Sequence, residues 1–88
     1  MIEQVIEVIN SLGLHARPAA QFVKIASLSK SEVFIEKDGI RINGKSIMGV
    51  MMLAAEQGSK LTIIADGPDE AEVVDDLIEL FKNKFYEE

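Results

Sequence analysis

The chain contains no cysteine, which removes a disulfide staple, a thiol nucleophile and a thiolate metal site together. The fold must therefore be stabilised by packing alone, and nothing points to an oxidising compartment. Histidine occurs once, at position 15, which is too little for a typical metal site. Basic groups are also scarce: nine Lys and Arg stand against fifteen Asp and Glu, for a net charge of −6. That balance argues against nucleic acid, whose binding is dominated by neutralising phosphates with Lys and Arg. No window is long and apolar enough to insert into a membrane, and the start Met1-Ile2-Glu3-Gln4 has no basic region, apolar run or small-residue cleavage site. Repeats, linkers, low-complexity segments and a nucleotide-binding glycine loop are absent as well. What remains is 88 residues, 48% of them hydrophobic, enough for one domain over 1–88 with one core. A cytoplasmic location is expected.

The charge is distributed unevenly. Residues 1–60 carry seven basic and six acidic groups, a net +1, whereas residues 61–88 carry Lys82 and Lys84 against nine acidic groups, a net −7. The half that holds His15 is much the less acidic and suits docking to an acidic protein surface. A solvated acidic last helix explains the tail equally well.

Patterning divides the chain into seven elements. Ile2 to Val8 reads as a strand with imperfect alternation, placing Glu3 and Glu7 on one side. Pro18 suits a first helical turn, and Ala19, Phe22, Val23 and Ala26 follow at helical spacing, so a helix should begin at His15 and end near Ser27 to Ser31. Ser31 to Lys37 is a second strand, and Asp38-Gly39 is a two-residue hairpin signal into a third, Ile40 to Ile42. Ser46 offers a cap oxygen for a short helix from Ile47 to about Ala55, stopped by Gly58. Lys60 to Ala65 is the fourth strand. After the turn Asp66-Gly67-Pro68, a capping box Asp69-x-x-Glu72 opens a last helix whose apolar stripe is Val74, Leu77, Ile78, Phe81 and Phe85. The order β-α-β-β-α-β-α predicts an α+β, two-layer sandwich, with three helices on one face of a largely antiparallel sheet.

Two stretches carry possible chemistry. His15 should lie beside unpaired backbone N–H groups at the positive end of a helix dipole, with Arg17 two residues on. A neutral imidazole nitrogen there can attack a phosphoryl donor and hold the charged product in place. For a lone histidine, the plainer reading is a helix cap or a surface residue. The second stretch is Ile47-Met48-Gly49-Val50-Met51-Met52-Leu53, apolar nearly all round. Either some of these side chains face solvent as an adaptable docking patch around Met48, or the helix is deeply buried. Ser46 is by default an N-cap; phosphorylated, it would place a dianion at a helix start and on the docking face. One histidine without a paired second base argues against a self-contained enzyme and for a module that reacts only when a partner supplies the donor.

Gly13-Leu14-His15-Ala16-Arg17-Pro18-Ala19 resembles the phosphohistidine signature of the HPr family, the phosphocarriers of the bacterial sugar phosphotransferase system. Asn43-Gly44-Lys45-Ser46-Ile47-Met48-Gly49-Val50-Met51 resembles the regulatory serine signature of the same family in low-GC Gram-positive bacteria. The resemblance covers essentially the whole chain and implies an open-faced sandwich with strand order 1-4-2-3. It implies that His15 carries the phosphoryl group on Nδ1, with Arg17 and the helix amides stabilising it, and that Ser46 is the substrate of HPr kinase/phosphorylase. The implied partners are enzyme I, enzyme IIA domains and, for the Ser46-phosphorylated form, the catabolite control protein CcpA. Partner contacts are expected at Ala16, Ala20, Lys24, Ile47, Met48 and Met51, in a monomer without metal or cofactor. Gly44 stands where a larger apolar residue is usual, an exchange expected to loosen the start of the Ser46 helix. The alternative is a purely regulatory, Crh-like protein; Crh has glutamine at the position of His15, and this chain keeps the histidine.

Overall fold

The computed structural model describes residues 1–86. Strand β1 covers Ile2–Glu7, helix α1 Ala16–Leu28, β2 Glu32–Lys37, β3 Ile40–Asn43, α2 Ile47–Met52, β4 Lys60–Asp66 and α3 Glu70–Lys82, followed by a 3-10 turn at Lys84–Tyr86. The strands pair antiparallel in the order β1-β4-β2-β3, so the units β1-α1-β2 and β3-α2-β4 interleave. Side chains alternate across a strand; the pairings Ile6↔Leu61, Ile35↔Ile63 and Val33↔Ala65 therefore gather apolar residues on one face. Ala19, Phe22 and Ala26 of α1, with Leu77 and Phe81 of α3, close over that face in one core. This is the expected open-faced α+β sandwich with three helices on one side of the sheet.

Local chemistry explains the sharpest boundary. Asp38 and Gly39 both take positive φ, 52° and 81°, the two left-handed residues that a type I′ turn needs to match the twist of its strands. Lys37 then pairs with Ile40 and Ile35 with Ile42.

Four expectations need correction, each because a tertiary contact overrode a local signal. Helix α2 ends at Met52 rather than near Ala55. Ala54 turns left-handed at φ 50°, well before Gly58, and the Ala55 carbonyl accepts the Leu14 N–H at 2.8 Å. Lys37 Nζ donates to the Leu53 carbonyl at 3.2 Å and closes the helix end. Next, the Asp69 capping box does not form, since the Asp69 side chain makes no cap bond to α3. Its carboxylate instead accepts from Ser29 Oγ, Ser31 Oγ and the Lys30 and Ser31 amides. It thus ties the start of α3 to the α1–β2 junction, while Glu70 Oε1 accepts the Gly67 N–H at 3.1 Å.

The third correction concerns Phe85, which lies outside α3. Lys84, Phe85 and Tyr86 all adopt positive φ, and this reversal packs the buried Phe85 ring edge-on against Phe81, with centroids 4.8 Å apart. Finally, Gly44 tightens the chain rather than loosening it. Its N–H donates to the Val33 carbonyl at 2.7 Å, and a Cβ there would lie 2.8 Å from Val33 Cγ1 and 3.1 Å from Phe22 Cε1.

Candidate functional site

The site begins with the loop before α1. Asn10 is fully buried, and its Nδ2 donates to the Gly13 carbonyl at 2.7 Å. Gly13 has φ +71°, and a Cβ there would lie 2.5 Å from the Ala55 carbonyl oxygen and 2.9 Å from Glu56 Cα. The Leu14 N–H bond to the Ala55 carbonyl completes the attachment. The loop is thus fastened to the segment after α2, which determines where α1 starts.

His15 is the N-cap residue of α1, in extended conformation at φ −82° and ψ −169°. Its carbonyl accepts the Ala19 N–H at 2.9 Å, but its side chain makes no cap hydrogen bond. The plain capping role is therefore not what the imidazole does. By helix geometry the Ala16 and Arg17 amides have no intrahelical acceptor, and Pro18 has no N–H to offer. Arg17 is exposed, and its guanidinium makes no hydrogen bond or ion pair among the described residues. A half-buried imidazole, two available amides and an uncommitted cation thus share the first turn of one helix. Such a turn can hold an oxyanion beside the ring.

The expected contact residues are all exposed. Ala16, Ala20 and Lys24 are all exposed and, four apart, line one stripe of α1. On α2, Val50 is buried, as is Leu53 just past its end, while Ile47, Met48 and Met51 are exposed, which resolves the open question of that helix toward solvent. Met51 shares with His15 a shallow depression of about 280 Å³, lined also by Leu12, Ala54, Ala55 and Glu56. Ser46 is the N-cap of α2, its Oγ accepting the Gly49 N–H at 3.1 Å. Lys45 is drawn away from it, donating through Nζ to the Ser29 carbonyl at 3.0 Å at the far end of α1.

Sequence reasoning missed Leu12 and the Ala54–Glu56 rim. A leucine set between Ser11 and Gly13 in a polar break was a readable signal, and it is exposed. The rim was not, because it depends on contacts between segments far apart in the chain.

Fold and site together define a small open-faced α+β protein with its one histidine at a helix start. The family model described as "PTS HPr component phosphorylation site" matches residues 2–83. The phosphocarrier protein HPr of Neisseria meningitidis is 51% identical over 87 residues, covering 99% of this chain and 98% of that protein. The HPr-like protein Crh of Bacillus subtilis is 51% identical over 77 residues, 88% of this chain and 91% of that protein. Among solved structures, HPr of Thermoanaerobacter tengcongensis superposes with a TM-score of 0.96 at 48% identity, covering 100% of this chain and 99% of that one. A dimer of the same T. tengcongensis protein matches with a TM-score of 0.77 at 47% identity, covering 97% and 98%. The chain belongs to the HPr family of phosphocarriers. No helix among the described residues is long and apolar enough to cross a membrane.

Proposed function

We propose that the 88 residues act as one cytoplasmic domain, a monomer that receives a phosphoryl group on His15 from phospho-enzyme I and delivers it to sugar-specific enzyme IIA domains. The observation that carries this reading is the first turn of α1, where His15 does not cap its helix and Arg17 is exposed and uncommitted among the described residues. The His15 Nδ1 lone pair forms a bond to phosphorus as the donor's P–N bond breaks, and the lone pair of the donor nitrogen returns to enzyme I. The Ala16 and Arg17 amides face the phosphoryl oxygens without reorganising, since the Gly13 and Ala55 contacts already hold the loop, and the exposed Arg17 guanidinium turns to join them. Delivery to enzyme IIA is the same displacement in reverse. The apolar surface of Ile47, Met48 and Met51, with Ala16, Ala20 and Lys24, receives both partners in turn. No metal or cofactor enters the exchange.

Ser46 is the regulatory site in this reading, modified by HPr kinase/phosphorylase. A phosphate on its Oγ would put negative charge on the docking surface, lowering transfer and creating the form that CcpA recognises. His15, where Crh has glutamine, favours the carrier over a purely regulatory Crh-like role.

Incubation with enzyme I and labelled phosphoenolpyruvate tests the proposal. The chain should acquire an acid-labile, base-stable label that His15→Ala abolishes. Label persisting in His15→Ala would overturn the assignment.

A further inference from the structure

Helix α2 is six residues long, yet it carries Met48, Met51 and Met52, three of the four methionines of the chain. Their exposures are 69, 42 and 77%, whereas the neighbouring Val50 and Leu53 are buried at 0 and 7%. Valine and leucine therefore hold the helix to the core, and the thioethers are presented to solvent. With no cysteine present, methionine is the only sulfur of the chain that an oxidant can reach. Met51 also lies in the depression that holds His15.

We infer that α2 is an oxidant-sensitive modification site, at which hydrogen peroxide converts Met48, Met51 and Met52 to sulfoxides and, through Met48 and Met51 on the proposed docking surface, weakens partner docking. The thioether lone pair attacks one peroxide oxygen, an S–O bond forms as the O–O bond breaks, and the departing hydroxide takes the remaining proton to leave as water. Sulfur loses two electrons and the peroxide gains them. The product replaces an adaptable apolar surface with a strong acceptor that an apolar interface leaves without a donor. Exposure of all three side chains lets this happen without opening the core. The inference rests on the docking reading proposed above.

The test treats the native full chain with hydrogen peroxide, maps sulfoxides by peptide mass spectrometry, and measures the melting temperature and the affinity for enzyme I. Affinity is measured again after repair by methionine sulfoxide reductases A and B, which act on opposite epimers. Sulfoxide should appear at all three positions with the melting temperature nearly unchanged. Affinity should fall roughly five- to a hundred-fold, the effect of burying a polar group without a partner, and repair should restore it. The variant Met48→Leu/Met51→Leu/Met52→Leu, compared only with its own untreated form, should lose the sensitivity. Loss of affinity in that variant too would assign the effect to Met1 and overturn the inference. Unmodified methionines, or equal affinity of oxidised and untreated wild type, overturn the inference alone. Absence of any enzyme I binding by untreated wild type overturns the functional reading and the inference with it.

Discussion

Gly13→Ala tests whether the loop contact before His15 is what positions the site. Two separate effects act at this position. Forcing alanine into the left-handed region at φ +71° costs about 1–2 kcal/mol. The added Cβ must also displace the Ala55 carbonyl oxygen, 2.5 Å away, and Glu56 Cα at 2.9 Å. Both are backbone atoms that cannot rotate aside, so overpacking adds about 1–3 kcal/mol. Gly39 supplies the internal control, because its φ is +81° but a Cβ there would meet nothing within 4 Å. Gly39→Ala should therefore lose only the conformational part, about 1–2 kcal/mol, against roughly 2–5 kcal/mol for Gly13→Ala. In a domain of this size each kcal/mol moves the melting temperature by about 4–8 °C. Gly13→Ala should thus melt at least about 4 °C below Gly39→Ala in parallel calorimetric scans. Because the displaced carbonyl is the acceptor for Leu14, phosphoryl transfer by Gly13→Ala should also slow at temperatures where it is fully folded, whereas Gly39→Ala should transfer normally. Equal melting temperatures for the two variants would refute the contact argument, and normal transfer by Gly13→Ala would refute the link to His15.

On the proposed reading Arg17→Ala removes a charge-assisted hydrogen bond to the transferring group, about 1.5–3 kcal/mol, so stopped-flow transfer from enzyme I should slow roughly ten- to a hundred-fold with an unchanged melting temperature; a wild-type rate would make Arg17 only a surface cation. Ser46→Asp keeps an N-cap acceptor on α2 and should stay folded, but its added charge on the docking surface should weaken binding to an acidic enzyme I, with a defect that shrinks as salt rises. A defect independent of salt would rule out the electrostatic explanation. Acid titration of stability tests the Asp69 anchor. In the folded chain the Ser31 hydroxyl first, then the Ser29 hydroxyl and the Lys30 amide, hold the Asp69 carboxyl well below the usual carboxylate range, and the Gly67 amide lowers Glu70. A depressed folded pKa stabilises the folded state fully above the unfolded value, near pH 4 for Asp, and that stability is lost as pH falls further. Asp69→Asn should therefore be less stable near neutrality and show a flatter acid limb in urea melts; a limb as steep as wild type would refute the anchor's role.

Features that depend only on neighbouring residues were legible before any contact was known. Asp38-Gly39 specified its turn because two consecutive left-handed residues suit few other pairs. Ser46 specified a helix start because its oxygen reaches an amide three residues on. The spacing of Ala19, Phe22 and Ala26 specified the inner face of α1, and the two signatures specified the family. Features that depend on residues far apart in the chain emerged only on folding. Asp69 had local amides to cap, yet two serine hydroxyls and two amides from the α1–β2 junction offered better donors, so the capping box was abandoned. Ala54 left the helix because the Ala55 carbonyl is held by Leu14, and Phe85 turned back because Phe81 leaves an apolar site that an extended α3 could not fill. Which side of α2 is covered was likewise settled by the assembled core: once Val50 and Leu53 occupy the inner positions, so short a helix has no inward place left for Met48, Met51 and Met52, and they remain in water, Met51 in the depression that holds His15.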